Sequence, residues 1–488
     1  MSNIIPIDIL AHADFAGCLR QNKRNPGLVA YCDAIDSVRD KNLEGTLLLD
    51  SGDQFCNIYW GGQPMVEALN LIKTDVMTLG NHEFDNSKDF IEECVTYAKF
   101  PMLCANIIEE ATQTFVKGVL PYVIVEKMGV KIGVLGLTTE YTPYMVKRGA
   151  FDPYRVLSSI ETANYYIPKI KEEGAEIVVV LSHFPFYIDE DRSISGELYD
   201  VMREIPKVDV FVGGHINGDY AQEVDGTVVL KAGFGGQSLA HTRLWFNLDR
   251  RQVVKSESDI ILTDRNAKGK KEIKDYVDLV TGPFEDFFNE VLAVADEKWT
   301  MKYATETKLG NFLADILLDG GNAEISYMNT TSAGGSIYPG EIKVEDLTSI
   351  YGFNDEILTT YMPGDYLYRL IEHIYRPERF GNNATIAFSG IIVHIDHNQK
   401  SPNKLQSITL RDGTPLERDK IYKVASSEYM ALGGNDTYDI VGDLDWKHSG
   451  LLYYDAMFSY LRKYKTLLRY TEKRLHEIGF PENDNSPD

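Results

Sequence analysis

Gly80-Asn81-His82-Glu83-Phe84-Asp85 stands directly behind the apolar run Asp75–Leu79. An apolar run that stops at a glycine and then delivers an amide, an imidazole and two carboxylates reads as a buried strand ending in a chemically loaded turn. Open α/β sheets bind their ligands at such carboxyl ends. The pattern recurs on both sides of this stretch. Ile7–Ala11 runs into His12-Ala13-Asp14, and Thr46–Asp50 into Ser51-Gly52-Asp53-Gln54. The run to Leu181 enters Ser182-His183, and the run to Val212 enters Gly213-Gly214-His215-Ile216-Asn217. Oxygen and imidazole donors without thiolates form the ligand set of Zn, Mn or Fe. Any one of these residues serves equally well as an N-cap or turn former. Five in series point to one shared site.

Between the strand ends, Leu28, Val29, Cys32, Ile35 and Val38 repeat at helical spacing, as do Phe90, Ile91, Cys94 and Val95. Continuous apolar strands at Val130–Leu137, Glu176–Leu181 and Val208–Val212 alternate with such helices, which predicts an α/β layered sandwich with buried sheets over residues 1–265. A polar, basic stretch follows (Asn266-Ala267-Lys268-Gly269-Lys270-Lys271), and Pro283 then precedes Phe284, Phe287, Phe288, Val291 and Leu292 at helical spacing. This reads as a linker helix within 266–299. A smaller α+β domain is expected over 300–488, with helices near Leu309–Leu318 and Tyr366–Tyr375 and a frayed polar tail, Pro481–Asp488.

Composition narrows the function classes. Across 488 residues, 73 acidic side chains against 49 basic ones give a formal charge of −24, which disfavours a nucleic-acid duplex or an anionic membrane as partner. A small anionic substrate stays open, because a bound divalent cation inverts the local field. The five cysteines, Cys18, Cys32, Cys56, Cys94 and Cys104, form no CxxC and read as buried reduced thiols. Met1-Ser2-Asn3 runs straight into Ile4-Ile5-Pro6-Ile7 without a basic n-region, so the expectation is a cytoplasmic protein.

The blocks around Asp14, Asp53, Asn81–Asp85, His183 and His215 resemble, in order and spacing, the metallophosphoesterase blocks of the 5′-nucleotidase family. Leu309-Gly310-Asn311-Phe312-Leu313-Ala314-Asp315, Gly340-Glu341-Ile342, Ser389-Gly390-Ile391 and Gly433-Gly434 resemble that family's C-terminal domain. The resemblance implies a phosphoester hydrolase that binds a small-molecule phosphoester, such as a nucleotide, between two domains and uses divalent metal ions such as Mn or Zn. It implies Asp53 as a bridging ligand, with Asn81, His183 and His215 completing one site and Asp14 and Asn217 at the other. It makes His82 and Asp85 the candidate catalytic pair, steadying the transition state or protonating the leaving group. Oligomeric state is left open.

The chain departs from the family pattern in three places. The Asp-x-His block reads Asp14-Phe15-Ala16, so one imidazole is lost. His12 shares a strand face with Asp14, and it either replaces that ligand or is an ordinary hydrogen-bonded strand-end histidine. The family's His or Gln two residues after His215 is Asn217, so one site should be tight and the other weak. In the second domain, Asn329-Thr330-Thr331-Ser332-Ala333-Gly334 carries Gly334 where the family has a phosphate-gripping Arg, and Tyr303 stands at its other Arg. Neither replacement makes a bidentate phosphate contact. Asn329, Phe353 and Tyr438 are the substrate-binding candidates, Tyr438 as a base-stacking ring. The leading reading is therefore a hydrolase. The alternatives are a hydrolase of a non-standard ester, such as a phosphodiester or sugar phosphate, and a catalytically impaired metal-binding scaffold.

Overall fold

The computed structural model describes residues 3–303, 305–376, 386–467 and 472–479. The tail Pro481–Asp488 lies outside the described residues. The chain divides into two units, Met1–Pro283 and Phe284–Asp488.

Two six-stranded sheets build the first unit. One runs in the order Gln252–Leu262, Ser238–Asn247, Ile4–His12, Thr46–Asp50, Val76–Thr78, Met102–Leu103. The other runs Tyr220–Val224, Thr227–Lys231, Val210–Val212, Ile177–His183, Val130–Thr138, Tyr122–Lys127. Neighbours from Ile4–His12 to Met102–Leu103, and from Thr227–Lys231 to Val130–Thr138, are parallel. Alternate residues face inward, so Ile7, Ile9, Ala11, Leu47 and Leu49 pack against Ile132, Val134, Ile177, Val179 and Leu181. The opposite face of the second sheet packs Val178 and Val180 on Ala163, Ile167 and Ile170 of the helix Ser159–Glu172. Because both faces are covered, these strands carry unbroken apolar runs. The result is a mixed α/β sandwich whose central parallel strands deliver their ends to the site.

One charge sits inside the first sheet. Asp8 is wholly buried opposite Arg243, which binds it through Nε (2.9 Å) and a terminal nitrogen (3.0 Å). His241 Nε2 (2.7 Å) and Asn42 Nδ2 (2.7 Å) complete its shell. Burial works against the carboxylate, but the hydrogen bonds from His241, Arg243 and Asn42 outweigh it and bring the group down to about 2. A depressed carboxyl stabilises the fold fully above its unfolded value of ~3.9 and loses that contribution as pH falls through the folded value. Asp8→Asn is expected to cost about 2 kcal/mol at neutral pH and to flatten the stability loss between pH ~4 and ~2. Urea denaturation across that pH range checks it.

The second unit is α+β. Its main sheet runs Ile386–Ser389, Ile325–Asn329, Ile421–Ser427, Glu356–Pro363, Lys447–Leu452. A smaller sheet pairs Leu405–Leu410, Ile391–Asp396 and Leu475–Ile478. The helices Lys308–Gly320, Gly364–Ile374 and Tyr453–Tyr464 belong to this unit. The helix expected within 266–299 is two helices, Lys271–Thr281 and Glu285–Asn289, with a 3-10 turn at Gly282–Phe284 between them. Val291 and Leu292 lie on a strand, Val291–Ala295, rather than on that helix, because the distant segment Gly340–Lys343 pairs with it. Cys32, Cys94 and Cys104 are buried free thiols, whereas Cys18 and Cys56 are half-buried. No described helix is long and apolar enough to cross a membrane.

Candidate functional site

Two loops cross at the carboxyl end of the first sheet. A Cβ on Gly52 would stand 2.4 Å from the Gly80 nitrogen, and one on Gly80 would stand 2.2 Å from Asp53 Oδ1. Only glycine allows that approach. Asp14, Asp53 and His215 hold φ values of 52°, 60° and 71°, in the left-handed region where strain gathers at functional sites. Glu83, fully buried, joins the two loops. Its Oε2 accepts from the amides of Asp53 (2.8 Å) and Gly80 (2.6 Å), and its Oε1 from Gln54 (2.6 Å) and Phe55 (3.2 Å). From sequence alone Glu83 has no assigned role. Its one signal was an acidic side chain inside an otherwise buried, glycine-led turn.

Asp53, His183 and His215 each offer a donor atom within 4.8 Å of the other two. His183 Nδ1 donates to the Ser51 carbonyl at 2.6 Å, and its Nε2 lies 3.0 Å from Asp53 Oδ2. Burial disfavours the charge of this ring, but Asp53 outweighs that and raises it to about 9. The Nε2 nitrogen is buried against the Asp53 carboxylate. His215 Nδ1 faces Asn81 Oδ1 at 2.8 Å. Burial, then the neighbouring His183, push His215 down to about 3, so its ring is neutral, as a metal ligand requires. Burial opposes the charge of Asp53, but His183 and His82 outweigh it and hold the carboxyl well below its usual range. An ionised carboxylate, two imidazoles and an amide oxygen gathered here fit a divalent cation, which would displace the proton on His183 Nε2.

His82 stands beside this group. Its Nδ1 lies 2.7 Å from Asp85 Oδ2, and its Nε2 lies 3.9 Å from Asp53 Oδ2. Burial disfavours its charge, but Asp85 and Asp53 outweigh that and raise the imidazole to about 10. It is thus a cation with Asp85 fixing one nitrogen.

Asp14 borders the same group. Its Oδ2 accepts the His215 amide at 3.1 Å, and its Oδ1 lies 4.0 Å from His183 Nε2. Burial lifts it to about 6. Ala16, two residues on, offers no donor. The glycine-rich turn Phe234–Gly236 brings its backbone here, with the Gly235 amide donating to the Asp14 carbonyl at 2.9 Å. His12 packs its ring 5.7 Å from that of Tyr31, with Nε2 3.5 Å from Asp50 Oδ2, and is not among the converging donors. The main-chain carbonyl of Asn217 accepts from Lys231 Nζ at 3.2 Å. Lys231 was likewise not singled out from sequence, although a lysine closing the apolar run Thr227–Lys231 was a visible signal.

Three candidates lie in the second unit. Asn329 is buried at the end of its strand, and its side chain is engaged within its own turn by Thr331 Oγ1 (2.8 Å) and Ser332 Oγ (2.7 Å). Thr330 Oγ1 donates to the Tyr303 carbonyl at 2.7 Å. Phe353 sets its ring edge-on to Tyr351 at 5.7 Å. Tyr438 opens the helix Tyr438–Val441 and stays 38% exposed, the accessibility a stacking ring needs.

Facing sheets with aspartate, histidine and asparagine donors gathered at their strand ends define a metallophosphoesterase. Residues 24–218 match the model of the calcineurin-like phosphoesterases, and residues 291–443 that of the 5′-nucleotidase C-terminal domain. Snake venom 5′-nucleotidase of Crotalus adamanteus is 26% identical over 506 residues, spanning 92% of this chain and 83% of that protein. In fold the chain is similar to a 5′-nucleotidase precursor from Thermus thermophilus, with 20% identity, a TM-score of 0.84 and coverage of 98% and 100%. It is also similar to the sulfate thiohydrolase SoxB of the same organism, with 16% identity, a TM-score of 0.80 and coverage of 99% and 98%. The chain belongs to the 5′-nucleotidase family, a metallophosphoesterase domain followed by a 5′-nucleotidase C-terminal domain.

Proposed function

We propose that the protein hydrolyses phosphoric esters, with Asp53, Asn81, His183 and His215 holding a divalent cation such as Mn²⁺ or Zn²⁺. The observation that carries this reading is the convergence of Asp53, His183 and His215 directly beside the His82–Asp85 pair. A divalent cation held there supplies Lewis-acid activation of water and neutralises phosphoryl charge. His82, charged and oriented by Asp85, gives a proton to the departing alkoxide. The raised basicity of His82 keeps it protonated at neutral pH, which suits an acid rather than a base. Glu83 and Ser51 hold Asp53 and His183 in place.

Turnover of aryl phosphates by the Mn²⁺- or Zn²⁺-loaded protein tests the proposal, and a loaded protein inert on aryl phosphates and on a broad nucleotide panel sinks it. His82→Ala is expected to lower kcat by roughly 10²–10⁴-fold, with metal content unchanged. The loss should be greatest for alkyl esters, whose leaving group needs a proton, and smallest for nitrophenyl phosphate. Equal losses on both substrates would remove the acid role.

The second unit favours a narrower reading of substrate. Gly334 stands where the family carries a phosphate-binding arginine, and Asn329 is engaged inside its own turn. Both support an ester other than a nucleoside 5′-monophosphate, such as a phosphodiester or a sugar phosphate. Turnover of AMP equal to or better than that of such esters would end this narrower reading.

A further inference from the structure

We infer that His12 and Asp50 hold a Zn²⁺ ion in a closed structural site, separate from the metal centre. The two residues are register partners at the ends of the parallel strands Ile4–His12 and Thr46–Asp50, which lead to Asp14 and Asp53. Among the described residues, four adjoining side chains carry buried polar atoms that make no hydrogen bond. These atoms are both ring nitrogens of His12, Asp50 Oδ2, Gln54 Oε1 and the Tyr31 hydroxyl. None of the four residues is more than 2% exposed. Their contacts run in a chain. Gln54 Nε2 donates to Asp50 Oδ1 at 2.8 Å, Asp50 Oδ2 stands 3.5 Å from His12 Nε2, and the rings of His12 and Tyr31 lie 5.7 Å apart. Polar groups this deep are costly without a partner, and several together point to a ligand.

The spacing identifies that ligand. The 3.5 Å between His12 Nε2 and Asp50 Oδ2 exceeds the ~2.7–3.2 Å of an N–H···O hydrogen bond. Two donors bound to one tetrahedral Zn²⁺ at about 2.0–2.2 Å stand about 3.3–3.5 Å apart. Asp50 Oδ1 is already held by the Gly52 amide at 2.9 Å and by Gln54, which fixes the carboxylate and leaves Oδ2 for the ion. Gln54 and Tyr31 add neutral oxygens beside these two ligands. Imidazole with oxygen donors and no thiolate suits Zn²⁺. The charge is also accommodated, because Asp50 is one of four buried carboxylates here, with Asp14, Asp53 and Glu83. An ion so enclosed is taken up as the chain folds, and its binding contributes to folding stability. It pins the two strands in register just before the turns that carry Asp14 and Asp53.

The experiment uses full-length protein carrying Asp53→Asn, so that the metal centre does not contribute. The protein is produced in Zn²⁺-supplemented and in zinc-depleted medium and then treated with a chelator in its native state. Elemental analysis is expected to find one Zn²⁺ per chain in the supplemented protein, whose guanidinium midpoint lies above that of the zinc-depleted form. Adding His12→Leu, or separately Asp50→Asn, is expected to remove both the ion and the zinc-dependent shift, with circular dichroism confirming the fold. The same two changes in wild-type protein are expected to lower its zinc content by one ion, which keeps the test open if Asp53→Asn folds poorly. No retained zinc in folded, supplemented Asp53→Asn protein overturns the inference. Unchanged zinc content and midpoint shift in the folded His12→Leu and Asp50→Asn forms overturn it equally.

Discussion

Asp53→Asn is expected to abolish metal retention and to reduce phosphoester turnover by ~10³-fold or more. Losing an outer partner of a metal ligand already costs 10–100-fold in affinity, and a carboxylate inside the donor group should cost more. Asp53 occupies the junction of the site. Its Oδ2 lies 3.0 Å from His183 Nε2 and 3.9 Å from His82 Nε2, and its Oδ1 accepts the His82 amide at 2.9 Å. Asparagine keeps the shape and one acceptor, so the turn should persist. The negative charge that draws a cation between two imidazoles is lost. Calorimetric titration with Mn²⁺, read beside circular dichroism of the metal-free variant, separates loss of the site from loss of the fold. Affinity within a few-fold of wild type in a folded variant would show that the cation does not sit on Asp53.

The convergence on Asp53 was legible because parallel strands buried on both faces write continuous apolar runs, and the polar residue after each run marks a strand end. Val76–Thr78, Ile177–His183 and Val210–Val212 end where Asn81, His183 and His215 are delivered. Features set by a distant partner were not legible. Val291 and Leu292 continue the spacing of Phe284, Phe287 and Phe288, but pairing with Gly340–Lys343 draws them into a strand. His12 and Asp14 are two residues apart, which suggests a common face. The strand ends at His12, and the left-handed turn at Asp14 breaks the alternation, leaving His12 against Tyr31. Asn329 stood where the family pattern puts a substrate contact, and only the folded turn reveals that Thr331 and Ser332 engage its amide. Lys231 needed the second sheet in place before its reach to Asn217 had meaning.

Glu83 is the extreme case of a role hidden from sequence, and its replacement carries the other large expected effect. Four backbone amides, from Asp53, Gln54, Phe55 and Gly80, converge on one buried carboxylate. Burial, then Asp53, raise Glu83 to about 7 against the pull of those amides. Glu83→Ala leaves the donors without an acceptor, at roughly 1–3 kcal/mol each before water enters. A loss of about 4 kcal/mol or more is therefore expected, outside the ordinary range for a single substitution. Glu83→Gln is not conservative here. Its NH₂ would point at amides that also donate, so only one pair stays satisfied, and a loss of about 3 kcal/mol is expected from two charge-assisted bonds. The functional consequence follows from the geometry. Without Glu83 the two loops lose its bonds to the amides of Asp53, Gln54 and Phe55, Asp53 is held less firmly in its left-handed conformation, and the donor group spreads. Metal affinity should fall by roughly 10–100-fold in Glu83→Gln under conditions where the protein is still folded. Guanidinium denaturation and Mn²⁺ titration on the same preparation measure both quantities. A large stability loss with unchanged metal affinity would mean that Glu83 supports the fold without positioning Asp53.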